Sequence, residues 1–329
     1  MTAGAFFMAD LAKLDTTGLA KSDLERVRMF VDASIPDNTR RAYRADWADW
    51  SAWAAAKGVS SLPGNPAHVA AYLTDLSATK KTSTVARRMA AIRKAHELAG
   101  HPTPTVHPIV QAALKGVRRE KGTRVEGKSP LVLADIEKMV KATSDDLSGK
   151  RTRALLLVGF AGAFRRSELA NLEVGDLTWS EKGVVILVRR SKTDQEGEGH
   201  TKAIPYVGGH MCAALALAQW LNAASIRNGP VFRGLTPKGV SPQRLTDGSI
   251  AQLVKAAAEE AGIDPTNVSG HSLRAGHVTE ARSQGVPDAD TMAVTGHKRI
   301  ETLNLYDRRG NPFSKTSAGA VLGGLRGKT

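Results

Sequence analysis

The sequence has a single cysteine, few aromatic residues and no hydrophobic segment long enough for a membrane. Its one thiol, Cys212, cannot form an internal disulfide or a cysteine-ligated zinc site. The longest apolar run, residues 154–164, is much shorter than the roughly 20 residues that a membrane helix needs. The apolar run at residues 5–8 is too short for a signal peptide and follows no basic residue. We therefore expect a protein of a reducing, cytoplasmic compartment.

Acidic residues are too few to balance the basic ones. The 329 residues include 46 Lys and Arg against 32 Asp and Glu, which gives a formal charge of +14. Basic residues exceed acidic ones in residues 1–128, by 20 to 12, and in residues 129–329, by 26 to 20. This excess favours a polyanionic partner, nucleic acid before membrane, although a charge that only promotes solubility gives the same composition. The length exceeds that of a usual single core, so two domains are expected.

Helical periodicity runs through the first part of the chain. Residues 1–20 carry no strong pattern and predict a loose N-terminus, whereas residues 21–120 predict a helical domain. In this domain an apolar stripe has the spacing of a buried helix face and contains Tyr43, Trp47, Trp50 and Ala54. Capping residues and glycines predict helices from Asp37 to Lys57 with Asp37 as the cap, from Pro66 to Ala78 with Asn65 as the cap, from Thr82 to Gly100 with Thr82 as the cap, and from Pro108 to Arg119.

The rest of the chain mixes helices with a small amount of strand. Residues 121–130 lack apolar periodicity and predict a linker, and residues 131–329 predict a second domain. Its expected elements are helices near Leu133 and over 151–172, a strand over 183–189, a return strand over 203–206, and helices to the end. The pattern predicts a mostly α fold with a small β-hairpin or sheet, of the α+β class, in the second domain.

One segment matches a nucleotide-binding motif but lacks its context. Residues 122–129 fit G-x-x-x-x-G-K-S/T, the phosphate-binding P-loop. That loop requires a buried strand before it and a helix directly after it. Residues 117–121 are too charged for a buried strand, and Pro130 follows the motif. We interpret the segment as a basic linker.

Three clusters in the second domain combine basic residues with groups that can transfer protons. They contain Arg165, Arg166 and Glu168; His271, Arg274 and His277; and His297 and Tyr306. Taken singly, each has an ordinary structural interpretation: a helical ion pair, a partly buried histidine beside a surface arginine, and a core tyrosine. A metal site built from the three histidines would lack a clustered carboxylate or cysteine.

Together and in this order, the clusters resemble the tyrosine recombinase/integrase family. That family carries an arginine in an R-x-S/A-E-L segment, a lysine on a β-hairpin, H-x-L-R, G-H, and a nucleophilic tyrosine nine residues after the second histidine. The matching residues here are Arg165, Lys192, His271, Arg274, His297 and Tyr306. Arg166 is adjacent to Arg165, but the family arginine lies three residues before the glutamate, which selects Arg165. The resemblance covers most of the chain and its layout is closest to Cre-type recombinases, although Cre has tryptophan at the place of His297.

The resemblance implies a site-specific DNA recombinase that acts as a two-domain clamp. Residues 21–120 would form the helical, SAM-like core-binding domain and residues 131–329 the catalytic domain with a C-terminal tail. The implied intermediate is a 3′-phosphotyrosyl link that keeps the ester energy, so neither ATP nor a metal ion is expected as a cofactor. The expected partners are double-stranded DNA with a specific recombination site and further copies of the chain, in a tetramer on two sites. The expected location is the cytoplasm, at the nucleoid, with no membrane.

Two arginines are expected to stabilise the transition state. Planar guanidinium groups match the non-bridging phosphate oxygens, which suits Arg165 and Arg274. Glu168 is expected to support the reaction by fixing Arg165. His297 is expected to orient the phosphate.

Three further residues are expected to move the reacting groups and protons. The Tyr306 hydroxyl would attack phosphorus, and Lys192 would protonate the leaving 5′-oxygen. His271 either accepts the tyrosine proton or donates to the phosphate, and the sequence leaves both roles open.

Basic helix faces in the first domain are the expected DNA contacts. One stripe runs through Lys80, Thr84, Arg87, Ala91 and Lys94, opposite an apolar face, and a second contains Arg41, Arg44 and Ala48. Solvated basic faces would have the same pattern, but a recombinase favours contacts with phosphates and the major groove. The tryptophans at positions 47, 50 and 53 are expected to pack rather than to stack on bases.

Two other functions share much of this pattern. A type IB topoisomerase-like enzyme would use the same tyrosine chemistry to relax one DNA molecule, whereas a recombinase joins two sites. A DNA-binding protein of the same fold without catalysis is the second alternative, and the complete residue set argues against it.

Overall fold

The computed structural model describes residues 17–122, 129–189 and 199–304. The chain divides into two units, Met1–Glu126 and Gly127–Thr329. The described part of the first unit contains helices and no strand, and that of the second combines helices with two small antiparallel sheets. The predicted mostly α fold with a small β component is confirmed. No helix in the described ranges is both long and apolar enough to cross a membrane.

The described part of the first unit is built around buried tryptophans. Its helices are α1 (Lys21–Ala33), α2 (Asp37–Ala56), α3 (Pro66–Thr79), α4 (Thr82–Leu98) and α5 (Pro108–Lys121). Trp50 is fully buried, stacks on Trp53 with ring centroids 5.5 Å apart, and donates its Nε1–H to the Ser61 carbonyl over 3.1 Å. Trp47 is also buried. The expectation that the tryptophans pack within the protein is therefore confirmed.

Two of the predicted helix caps in this unit are wrong by one residue. Pro36 and Lys81, which have extended backbone angles, hold the cap positions of α2 and α4. A cap is the last non-helical residue, and Asp37 and Thr82 already lie inside their helices. The Asn65 cap of α3 is confirmed, because its side-chain oxygen accepts a hydrogen bond from a backbone N–H of the first turn.

The described part of the second unit combines helices with the two small sheets. In chain order the elements are α6 (Leu133–Ala142), α7 (Leu147–Ala161), α8 (Arg166–Asn171), β1 (Leu177–Ser180), β2 (Gly183–Val188), β3 (His200–Pro205), α9 (Ala213–Ala223), β4 (Arg233–Thr236), β5 (Gly239–Arg244), α10 (Asp247–Glu260), α11 (Gly270–Ser283), α12 (Asp288–Thr295) and α13 (Ile300–Asn304). The strand that a P-loop requires before its motif is not there, since helix α5 directly precedes residues 122–129.

The single helix predicted over 151–172 is wrong, because the chain breaks between α7 and α8. Ala163 has a φ of 47°, in the left-handed region that usually favours glycine. The N–H groups of Ala163 and Phe164 bond back to carbonyls in the last turn of α7, which is the Schellman pattern of helix ends. The expected signal would be glycine at 163, but the glycine is at 162. Because of this break, Arg165 is extended and caps α8 rather than lying within a helix.

The larger sheet has the strand order β1-β2-β3, antiparallel throughout. The sequence predicts β2 and β3 but misses β1 and the β4–β5 hairpin, whose short strands are irregular and mostly exposed at their ends. In β3 every second side chain faces the interior, and those of Lys202 and Ile204 are buried. The sheet therefore presents a lysine to the interior of the unit.

Helix α11 packs so closely on the segment before α6 that only glycine fits at position 276. A Cβ on Gly276 would lie 1.7 Å from the Leu131 carbonyl oxygen, which is backbone and cannot rotate away. We expect Gly276→Ala to destabilise the protein by about 1–3 kcal/mol or more. Thermal unfolding measures this. Gly248→Ala is the control, because a Cβ there makes only an ordinary 3.6 Å contact. Equal melting temperatures for the two variants would contradict the prediction.

Candidate active site

The Arg274 guanidinium is buried at the centre of the site. Ser269 caps α11 by accepting the His271 N–H over 3.2 Å, and Arg274 follows one turn later with no solvent exposure. Its Nη1 donates to the Ala163 carbonyl over 2.7 Å, and its Nη2 donates to the Thr295 carbonyl. The carbonyls come from the ends of α7 and α12, so three elements meet at one charge.

His297 has a defined protonation state in this arrangement. The Thr295 hydroxyl donates to the Thr291 carbonyl over 2.7 Å, so it accepts from Nδ1–H of His297 over 2.8 Å. Nε2 then carries the lone pair, and it accepts from Arg274 Nη2 over 3.0 Å. Burial, reinforced by the positive charge of Arg274, lowers the pKa of His297 to about 4. The ring is therefore neutral at physiological pH, with its proton on Nδ1.

Glu168 holds Arg165 at two points. The Arg165 backbone N–H donates to Oε2 over 2.9 Å, and Nη1 donates to Oε1 over 2.7 Å. Burial alone would raise the pKa of Glu168, but the Arg165 backbone N–H, the charge of Lys202 and the Arg165 side chain hold it below its usual value. Arg166 points to another partner, because its Nη2 lies 3.0 Å from Asp247 at the start of α10.

Lys202 is a component of the site that the sequence analysis misses. Its side chain is buried, and its Nζ donates to the carbonyls of Gly162 over 2.7 Å and Val294 over 2.6 Å. Nζ also lies 4.9 Å from the centroid of the Phe164 ring. Burial lowers the pKa of Lys202 to about 7, although Glu168 partly opposes this shift. The signal in the sequence is the alternation of β3, which places this lysine on the same face as Ile204.

The three histidines do not form a metal site. His271 is exposed, whereas both ring nitrogens of His297 are bonded, one of them to the cationic Arg274. His277 packs edge-on against Phe160, with ring centroids 6.0 Å apart. No group of three potential metal ligands occurs within the described ranges. The structural alternative for this cluster taken singly, a partly buried histidine beside a surface arginine, does not hold either, since His271 is exposed and Arg274 is buried.

The other predicted residues have different outcomes. Lys192 and Tyr306 lie outside the described residues. Of the residues expected to contact DNA, Arg41, Arg44 and Lys80 are exposed and Thr84 and Lys94 are half-buried. Arg87 is half exposed, and two of its nitrogens bond to the buried carboxylate of Asp46 over 2.8 and 2.9 Å. The continuous stripe on α4 is wrong, because Ala91 is fully buried.

Histidines whose pKa values are lowered by the fold make the second unit sensitive to acid. Burial, followed by the charge of Lys202, lowers the pKa of His277 to about 4. The unfolded chain therefore binds a proton at this side chain between about pH 6.5 and 4 that the folded chain does not, so stability is lost as the pH falls through this range. We expect the stability deficit of His277→Gln at pH 7 to shrink by about 2 kcal/mol by pH 4.5. Denaturant unfolding at several pH values measures the difference, and a constant deficit would contradict the assignment.

Two family models and a known recombinase match this chain. Residues 131–311 match the phage integrase family, and residues 28–101 match the phage integrase N-terminal SAM-like domain. The chain is 39% identical over 289 residues to an integrase/recombinase XerD homologue of Selenomonas ruminantium, a match that covers 86% of this chain and 85% of that protein.

More distant proteins agree with this match. A tyrosine recombinase of Synechocystis is 29% identical over 73% of both chains. Two solved structures share the fold: XerH recombinase in a post-cleavage complex with difH (TM-score 0.61, 14% identity, 94% of this chain and 86% of that chain) and a lambda integrase dimer on a COC′ core site (TM-score 0.58, 17% identity, 90% and 98%). The chain therefore belongs to the phage integrase family, as a tyrosine recombinase.

Proposed function

We propose that this tyrosine recombinase cuts and rejoins DNA at a specific site by using Tyr306 as the nucleophile. The observation that carries the proposal is the excess of positive charge in the buried site. The charges of Arg165, Arg274 and Glu168 all act on Lys202, and Glu168 is the one carboxylate in this group of four. Uncompensated buried charge is costly, so such a site favours an anionic ligand. A phosphodiester supplies the missing negative charge.

The reaction is a transesterification at phosphorus. The Tyr306 oxygen forms a bond to phosphorus as the bond to the 5′-oxygen breaks, which leaves a 3′-phosphotyrosyl link and a free 5′-hydroxyl. Arg165 and Arg274 stabilise the charge that develops on the non-bridging oxygens. Lys192 gives the leaving oxygen its proton. The steps run in reverse when another 5′-hydroxyl attacks the link, and no ATP or metal ion is required.

The histidines divide the remaining work. His271 is exposed at the first turn of α11, where it can accept the tyrosine proton or donate to the phosphate. His297 supports the guanidinium of Arg274 through its Nε2 lone pair. In its neutral form it adds no charge to the site.

The substrate is double-stranded DNA, contacted by both units. The two solved relatives named above are bound to DNA, one of them as a dimer on a core site. Residues 21–120 act as the core-binding domain and residues 131–329 as the catalytic domain. The exposed cations Arg41, Arg44 and Lys80 contribute phosphate contacts. Four copies assemble on two sites in the cytoplasm and exchange strands between them.

Loss of the nucleophile tests the proposal directly. We expect Tyr306→Phe to bind site DNA with unchanged affinity and to form no covalent complex, because only the attacking oxygen is removed. A denaturing gel of protein mixed with nicked site DNA measures the covalent band. Tyr206, half exposed just after β3, gives the matched control Tyr206→Phe, which should retain the band. A covalent band in Tyr306→Phe would place the nucleophile elsewhere.

The roles of the cations are separated by a substrate with sulfur at the 5′ bridging position, since a thiolate leaves without protonation. We expect Arg165→Ala and Lys192→Ala each to slow cleavage of normal DNA, the former by roughly 100- to 1000-fold. The sulfur substrate should rescue Lys192→Ala and leave Arg165→Ala impaired. Arg166→Ala is the control and should cost far less, because Arg166 pairs with Asp247. Rescue of neither slow variant, or a dead Arg166→Ala, would contradict these roles.

A further inference from the structure

Lys202 and Arg274 join the same two segments of the chain. Arg274 bonds to the carbonyls of Ala163 and Thr295, and Lys202 bonds to the carbonyls immediately before them, at Gly162 and Val294. One segment is the Schellman turn at the end of α7 and the other is the end of α12. Two parallel cationic bridges therefore set the separation of these segments.

We propose that Lys202 is a positioning residue for strand cleavage, which acts through Arg274; this rests on the proposed function above. Its ammonium group holds the Schellman turn against α12, and so fixes the two carbonyls that orient the Arg274 guanidinium. Lys202 also lies on β3, and Lys192 falls in the connection between β2 and β3. The same bond therefore ties the strand that follows the general acid to the group that binds the phosphate.

The surroundings of Lys202 favour positioning over proton transfer. Two of its N–H groups are bonded to backbone carbonyls, and its Nζ lies against the Phe164 ring. The side chain is 2% exposed. An acid for the leaving oxygen would need to release these partners in each cycle. A bridge keeps them throughout.

The charged and titratable groups whose electrostatic interaction with Lys202 is resolved come from three parts of the chain. They are Arg165 and Glu168 from the start of α8, Arg274 and His277 from α11, and His297 after α12. Glu168 is the single anion among them. It bonds to Arg165 rather than to Lys202, so the backbone carbonyls are the partners that hold the ammonium.

A double-mutant cycle tests the coupling. We expect Lys202→Met to slow single-turnover cleavage at saturating DNA by about 100-fold, the cost of a misplacement near 1 Å, while the Kd for DNA changes less than about twofold. In the Arg274→Ala background the same change should cost less than about threefold, because the residue it positions is gone. In the Lys192→Ala background its full cost should remain. Lys182→Met, at an exposed lysine in the turn between β1 and β2, is the control that should cleave at the normal rate.

The outcomes separate this inference from the proposed function. Wild-type protein and Lys182→Met must form the covalent complex if the proposed function is right, whatever Lys202 does. Two results would overturn the positioning role: Lys202→Met slows cleavage by its full factor in the Arg274→Ala background, or the 5′-sulfur substrate rescues Lys202→Met. If Lys202→Met does not fold at the assay temperature, Lys202→Gln, which keeps two N–H donors at shorter reach, goes through the same cycle and is judged by the same two outcomes.

Discussion

The Arg274 guanidinium carries a full positive charge at a position with no solvent exposure, and the catalytic unit is arranged around satisfying it. Water is replaced by carbonyl oxygens from two helix ends and by the lone pair of a neutral histidine. Buried charge is tolerated only when it is bonded in this way. The turn after α7, the end of α12 and the neutral ring of His297 each supply one of its partners.

A neutral set of partners leaves the charge of the arginine largely uncancelled. Carbonyls and an imidazole orient the group by dipoles, and the nearby carboxylate of Glu168 is bonded to Arg165 instead. The site thus holds its donors in place before any phosphate arrives. Preorganised donors of this kind need no rearrangement when charge develops in the transition state.

The sequence was sufficient for those features that depend on local spacing. The contact between Arg165 and Glu168 follows from their separation of three residues, and strand β2 follows from a continuous apolar run, with β3 as its return strand. The structural surroundings of the site residues could not be predicted in this way. Ala163 adopts a left-handed backbone without the glycine that would signal it, so the helix break was missed. The burial of Arg274 depends on carbonyls, which every residue has and which therefore leave no mark in the sequence.

Lys202 shows the same limit of prediction from sequence. Its inward position could be predicted from the alternation of β3, but its partners are backbone atoms of distant segments. A lysine on the inward face of a strand that itself contains no acidic residue looks like an error in strand register. In the structure, carbonyl groups at the ends of two helices accept hydrogen bonds from the Lys202 ammonium group.

The Arg274 bond to Ala163 spans 111 positions in the chain, and the bond to Thr295 spans 21. The arrangement needs Ala163, Arg274 and Thr295 together. A nascent chain that ends before α12 lacks Thr295, and so cannot form it. A DNA-cleaving activity is dangerous to the cell that makes it. Here the hydrogen bonds that hold Arg274 can form only when residues 163, 274 and 295 belong to one intact molecule, so a truncated chain cannot hold this arginine in place.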